Sequence, residues 1–154
     1  MIRKFKDFFK SKKDIQEQKQ ETQEELVDKL FTSIDTGDYN TFITVIKNGA
    51  DINNVRPDGS GRKGYTKTPL ISIIYQWRGS AREQFRFLKF LFENKVNLFD
   101  NIGVTPFGSF EIDIYKEIKH NCLYSGPIIH CLLENYPDYM KERNFRKDVN
   151  SYNL

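Results

Sequence analysis

Three glycines in one polar stretch have the spacing of a phosphate-binding loop. The stretch reads DGSGRKGYTKTPL, from Asp58 to Leu70, and Gly59, Gly61 and Gly64 give the pattern G-x-G-x-x-G. A dinucleotide site of this kind needs a hydrophobic strand before the glycines and a helix that opens at the last of them. Here the preceding residues, DINNVRPD, are polar and turn-forming, and the next helix signal is Thr68. The glycines therefore favour a long hairpin loop over a nucleotide site.

Two histidines and two cysteines in the C-terminal half raise the question of a metal site. They are His120, Cys122, His130 and Cys131. Their spacing, H-x-C followed by H-C, matches no familiar structural zinc pattern. Elsewhere, no nucleophile, base and orienting acid can be assembled from the residue pattern. We therefore expect no metal, no cofactor and no catalytic centre.

Composition and charge narrow the class of protein further. With 154 residues, 38% of them hydrophobic and 14% aromatic, the chain is long and apolar enough for one domain with a core. A net charge of +3 is too small to indicate a nucleic-acid binder. Two cysteines do not make a secreted disulfide framework, and there is neither a long apolar run nor a signal-peptide pattern. These features predict a cytoplasmic protein.

Three segments of the chain repeat the same amphipathic pattern. When Asn48, Asn94 and Asn135 are aligned, apolar residues lie six, three and two positions before each of them. This is the i, i+3, i+4 spacing of one face of a helix. The predicted helices lie near Tyr39–Asn48, Arg82–Asn94 and Pro127–Asn135. The residues predicted to be buried on them are Val45, Ile46, Leu88, Leu91, Phe92, Ile129, Leu132 and Leu133.

The segment before each of these helices also repeats. Thr68-Pro69-Leu70 recurs as Thr105-Pro106-Phe107. A threonine hydroxyl caps a free helix N–H, and proline suits the first helical position, where its missing N–H costs nothing. Each unit then reads as helix, turn, helix. The predicted turns are residues 36–38, 78–80 and 121–126.

These residues resemble ankyrin repeats, over residues 26–136. The first unit supplies Gly37-Asp38 and the stretch VIKNGADIN from Val45 to Asn53, while GYTKTPL and GVTPF are similar to the family's G-x-T-P-L opening. The Thr-Pro pairs are 37 residues apart, against about 33 in the family. The resemblance implies an all-α fold, a stack of about three helix-turn-helix repeats with an extended finger loop. A helical bundle without repeats is the alternative.

The N-terminal segment carries its own charge pattern. Residues 1–13 contain six Lys or Arg and one Asp, whereas residues 14–28 contain six acidic residues and one Lys. Ile2, Phe5, Phe8 and Phe9 fall at helical spacing among the cations, which predicts a basic amphipathic helix. Three fates stay open for it: docking on a protein surface, contact with an anionic membrane, or disorder. We divide the chain into residues 1–25, a repeat domain over 26–140, and a C-terminal tail over 141–154.

The resemblance also implies a function. Ankyrin proteins bind partners through their fingers and the concave face of their first helices, so we expect a non-enzymatic module that occludes or scaffolds a protein with an acidic surface. A bacterial immunity or antitoxin-type inhibitor is one function within that class. A peripheral membrane adaptor, targeted by residues 1–13, is the alternative from another class.

The candidate contact residues are the basic and aromatic ones in and beside the finger, because arginine and aromatic side chains are common interface anchors. They are Arg56, Arg62, Lys63, Tyr65, Tyr75, Trp77 and Arg78. Two plainer interpretations stay open: the finger as a solvated connection, and Trp77 as a core residue.

Overall fold

The computed structural model describes residues 21–56, 67–105 and 108–152. Within these ranges the chain is mainly helical, with one two-stranded sheet, which agrees with the predicted all-α class. The helices are α1 (Gln23–Thr36), α2 (Tyr39–Lys47), α3 (Pro69–Gln76), α4 (Ala81–Glu93), α5 (Ile114–Asn121), α6 (Ser125–Asn135) and α7 (Tyr139–Tyr152). The strands are β1 (Ile102–Thr105) and β2 (Gly108–Glu111).

The turn between α1 and α2 follows directly from its residue types. Gly37 ends α1 in the left-handed conformation, at φ 73°, which glycine adopts without a Cβ penalty. Asp38 then caps α2, because its carboxylate accepts from the Thr41 N–H at 3.1 Å. The predicted turn at residues 36–38 is confirmed.

The second helix pair also begins as its sequence predicts. The Thr68 hydroxyl accepts from the Ile71 N–H at 3.2 Å, and Pro69 occupies the first position of α3. Ser80 and Glu83 form a reciprocal capping box at the start of α4. These caps satisfy N–H groups that have no partner inside the helix.

The third unit departs from the prediction at its opening. Thr105 does not cap a helix; it ends β1, which pairs antiparallel with β2 from Ile102 opposite Glu111 to Thr105 opposite Gly108. The first helix of this unit, α5, begins only after Asp113, which caps it. Gly108 is a weak helix former where the second unit has Ile71, so a hairpin replaces the first helical turn.

The six helices from α1 to α6 form two rows. The first helices stack in the order α1, α3, α5, and each packs on its own second helix. Among the second helices, α4 packs on α6, and α2 meets α4 through Phe42 and Phe87, whose ring centroids are 4.6 Å apart. The core lies between the two rows and continues to Tyr139 on α7.

The predicted second helices and most of their buried face are confirmed. Five of the eight predicted core residues are at most 3% exposed: Val45, Leu88, Leu91, Phe92 and Leu132. Ile46, Ile129 and Leu133 are half-buried at the edge of the core. On α6 the buried residues are Ile128, Cys131 and Leu132. The predicted stripe on α6 was therefore shifted by one residue, because the aligned Asn135 marks where the helix ends but not which face packs.

The chain leaves α2 and α4 in the same way. Ala50 N–H donates to the Val45 carbonyl at 3.0 Å, and Val96 N–H donates to the Leu91 carbonyl at 3.1 Å. The residues before them, Gly49 and Lys95, both have positive φ, at 98° and 59°. The loops that follow α2 and α4 therefore share one backbone geometry.

The last helix, α7, covers the end of the array and runs through most of the segment predicted as a tail. Arg143 holds Asp113 with two hydrogen bonds, from Nε at 2.8 Å and from Nη2 at 2.7 Å. The Lys147 ammonium lies 2.9 Å from the same carboxylate. Asp113 therefore both caps α5 and ties it to α7, and we call these three residues the α7 clasp.

Gly37→Ala should lower the free energy of unfolding by about 1 kcal/mol, because a Cβ is disfavoured at its positive φ. Gly126→Ala is the matched control. Gly126 lies in the first turn of α6 with nothing within 4 Å of an added Cβ, so alanine there should be neutral or stabilising by up to about 1 kcal/mol. Urea unfolding of both variants measures the difference, and equal effects would contradict the assigned conformation of Gly37.

Candidate protein interface

The base of the finger is fixed to α1 by Arg56 and Lys67. The two residues exchange backbone hydrogen bonds of 2.9 and 3.0 Å. Both cations face the ring of Phe31, the Arg56 guanidinium at 4.7 Å and the Lys67 ammonium at 5.5 Å from its centroid. Arg56 is also ion-paired with Asp28. Among the predicted contact residues, Arg56 thus has a structural role at the root of the loop.

Three other predicted contact residues, Arg62, Lys63 and Tyr65, lie outside the described residues, as do Ile2, Phe5, Phe8 and Phe9. Their roles stay predictions.

The remaining predicted contact residues lie together at the end of α3. Trp77 packs its ring 4.7 Å from that of Phe87, and its indole N–H donates to the Ser80 carbonyl at 2.9 Å. Tyr75 and Trp77 are half-buried against the core, whereas Arg78 is exposed. Trp77 therefore packs on the core and still shows part of its surface beside an exposed cation.

A basic face continues from this turn along α4. Arg82 and Arg86 are exposed and four residues apart on α4, so they project from one side, and the exposed Arg78 lies in the turn just before this helix. Arg78 and Arg82 form no ion pair with another described residue. The Arg86 guanidinium lies 4.2 Å above the ring of Tyr39. Sequence reasoning singled out only Arg78, although the four-residue spacing of the other two was visible.

Two large apolar residues occupy the turn between α5 and α6. Leu123 is 87% exposed and Tyr124 is 49% exposed. Neither contributes to the core, and Tyr124 precedes α6 without a side-chain cap. Sequence reasoning treated this stretch only as a turn. The signal was the choice of Leu and Tyr where small polar residues usually stand.

The order of the helices brings these features to one edge of the array. The loops that follow α2, α4 and α6 contact one another, since Asn97 N–H donates to Asn53 Oδ1 and the Tyr136 hydroxyl donates to the Val96 carbonyl. The turn inside each helix pair therefore lies at the opposite edge. The edge carries Trp77 and Arg78 in the second unit and Leu123 and Tyr124 in the third. We call these four residues, with Tyr75 and Arg82, the turn edge.

Burial and hydrogen bonds account for the shifted pKa values of the two cysteines and of Asp113. Burial raises the pKa of the Cys122 thiol to about 11 and also raises that of Cys131, which disfavours the reactive thiolate form. Burial acts to raise the pKa of Asp113 as well, but the hydrogen bonds from Arg143 and Lys147 outweigh it and lower that pKa to about 2. Within the described part of the chain, no three His, Cys, Asp or Glu side chains are grouped as metal ligands would be.

Comparison of the chain with models of protein families, with curated proteins and with solved structures gives no match. Across residues 21–56, 67–105 and 108–152, none of the helices combines the length and apolar character needed to cross a bilayer.

Proposed function

We propose that this chain is a non-enzymatic, ankyrin-like protein-binding module that covers or scaffolds a partner protein. The two rows of helices and the matching loops after α2 and α4 support the repeat architecture. In such an array each unit buries its apolar face against its neighbours, so the outer edges are free to vary in sequence. A rigid edge can then hold contact residues in place before a partner arrives, which limits the entropy lost on binding.

The main support for this proposal is the turn edge, and within it the exposure of Leu123. A leucine that is 87% exposed in a short turn contributes almost nothing to folding. Beside it on the same edge stand aromatic residues and cations, the residue types enriched at protein interfaces. The partner surface is therefore acidic with an apolar patch.

Two contributions to binding follow from these residue types. Arg78 and Arg82, exposed at the rim, attract an acidic partner over distances of about 10 Å at moderate salt. Leu123 and Trp77 give up their remaining exposed apolar surface once contact is made. A small inhibitor of the immunity or antitoxin type works in this manner when it covers a toxin's active site, and a cytoplasmic location belongs to the same proposal.

The test compares three forms of the chain in affinity capture from the source cells. Arg78→Glu/Arg82→Glu/Leu123→Ser changes three residues of the turn edge, and Phe145→Ser/Val149→Ser removes exposed apolar surface from α7 instead. We expect a protein that the wild type and the α7 control both retain and that the turn-edge variant loses. With that protein purified, Leu123→Ser should raise Kd about tenfold or more, a loss of at least about 1.4 kcal/mol.

Charge reversal at Arg78 and Arg82 should act differently, by slowing association and weakening its salt dependence, because rim charges act mainly on the encounter. Stopped-flow association rates at several salt concentrations measure this. Equal capture by the wild type and the turn-edge variant would overturn the proposed surface.

A further inference from the structure

Helix α1 carries a second apolar stripe beside the one that joins the core. Leu26, Leu30 and Ile34 belong to the core cluster that connects the helix pairs. Val27 and Phe31 are each only 3% exposed, yet they are not part of that cluster. They follow Leu26 and Leu30 by one position, so they face about 100° further round the helix. This second stripe is buried without contributing to the main core.

Among the described residues, those that surround the second stripe are polar or charged. Val27 lines a cavity of about 540 Å³, and the other described residues around that cavity are polar: Gln23, Glu24, Asp28, Asn54 and Arg56. The ring of Phe31 is bordered by the cations of Arg56 and Lys67. Glu24, Asp28 and Asp35 are exposed along the same side of α1. The stripe therefore has an apolar floor and a rim of mixed charge, in which Arg56 pairs with Asp28 and the Lys67 ammonium lies 3.9 Å from the Asp35 carboxylate.

We infer that residues 2–13 of this same chain dock along the second stripe of α1. Ile2, Phe5, Phe8 and Phe9 supply an apolar face of matching helical period. The charges are complementary, since residues 1–13 carry a net +5 and residues 21–36 carry five acidic residues and one Lys, a net −4, which Arg56 and Lys67 reduce to −2. Docking places the phenylalanines over Val27 and Phe31 and the lysines against the rim.

The chain between the two elements is long enough for this contact. Residues 14–22 form a nine-residue connection that spans up to about 30 Å when extended. Helix α1, with 14 residues, is about 21 Å long, so residues 2–13 reach any point along it. A tethered segment also has an effective concentration in the millimolar range, which favours its own α1 over a second copy of the chain.

Thiol labelling of a Val27→Cys variant of the full chain tests the docking. The native Cys122 and Cys131 are buried and serve as the background, measured in the parent chain. We expect Val27→Cys to react about tenfold or more slowly than the same thiol in a chain that also carries Phe5→Asp and Phe9→Asp. Thr44→Cys, on the exposed side of α2, is the control and should react at one rate in both backgrounds.

The possible outcomes of the labelling experiment distinguish the docking from its alternatives. Equal rates at Val27→Cys with and without the Phe5→Asp and Phe9→Asp changes would overturn the docking. Protection that grows with protein concentration would assign the stripe to a second copy and overturn it too. Acceleration of labelling on addition of phosphatidylserine vesicles would support the docking, because it requires residues 1–13 to leave the stripe for the membrane.

Trypsin cleavage of the otherwise native chain gives a second readout that does not depend on Val27→Cys folding. Docking should slow cleavage after the lysines of residues 1–13 about tenfold relative to the Phe5→Asp/Phe9→Asp variant. The same cleavage rate in both chains would overturn the inference.

Discussion

Replacing Leu91 by alanine should lower the free energy of unfolding by about 2–5 kcal/mol. Leu91 is fully buried on α4, the helix that packs on both α3 and α6, so its side chain has neighbours on several sides. Removing it costs the transfer free energy of the lost atoms and leaves a partly unfilled cavity. Its carbonyl also receives the Val96 N–H, which holds the loop after α4 and limits how far the site can collapse.

Leu123→Ala is the matched control, since it makes the same chemical change at a residue that is 87% exposed. Its effect on stability should be within about 0.5 kcal/mol. Chemical unfolding of the two variants measures both values. A cost below about 0.5 kcal/mol at Leu91 would mean that α4 presents a different face to the core.

Breaking the α7 clasp should have the second largest effect. Asp113→Ala removes the N-cap of α5 and leaves two cations without their shared carboxylate. A lost cap costs about 1 kcal/mol, and a hydrogen bond to a charged group is worth about 1.5–3 kcal/mol, so we expect a total loss of about 2–4 kcal/mol. The side chains of Asp113 and Arg143 are 18% and 16% exposed, so water only partly replaces the contact.

Asp113→Asn separates the two contributions. Asparagine is as good an N-cap as aspartate, so this variant should keep the cap and lose only the ionic part. It should therefore be more stable than Asp113→Ala, by about 1 kcal/mol. If the two variants unfold at the same denaturant concentration, Asp113 does not cap α5.

The clasp also gives a pH dependence with a definite sign. The pKa of Asp113 falls from its ordinary 3.8 to about 2 in the folded chain, where Arg143 and Lys147 donate to it. A depressed pKa contributes stability that is fully present above the unfolded value and is lost as the pH falls towards the folded value. The stability difference between the wild type and Asp113→Asn should therefore shrink between about pH 4 and pH 2, and a constant difference would contradict the pairing.

The sequence correctly predicted the helix ends that are set by a capping side chain, a proline or a glycine. Thr68-Pro69 and the turn around Gly37 depend on a hydroxyl cap, a ring-fixed φ and a glycine without a Cβ, and each acts within four residues. The same local logic failed at Thr105, where Gly108 stands in place of Ile71 and the segment forms a hairpin with the strand that follows it. A two-residue motif cannot outweigh the helix propensity of the residues that follow it.

Sequence reasoning identified some residues of the candidate site and missed others. Trp77 and Arg78 could be chosen from residue type alone, because arginine and aromatic side chains mark interfaces wherever they remain exposed. Leu123 was missed, since a leucine in a helical chain is ordinarily a core residue, and its place in the turn after α5 was the only local signal of its exposure. Arg56, also predicted as a contact residue, lies at the root of the finger with Asp28 and Phe31 across from it on α1, and its contact with a partner stays a prediction.

By itself, the sequence of this protein determined where most helices begin and end, because caps, turns and apolar spacing are local. The tertiary structure decided which face of α6 is buried, that α7 covers the C-terminal end of the array and which side chains remain at the turn edge. Those choices depend on contacts such as Asp113 with Arg143, thirty residues apart in the chain. Such a pair leaves no local pattern, because its free energy is gained only after the helices between its members have packed.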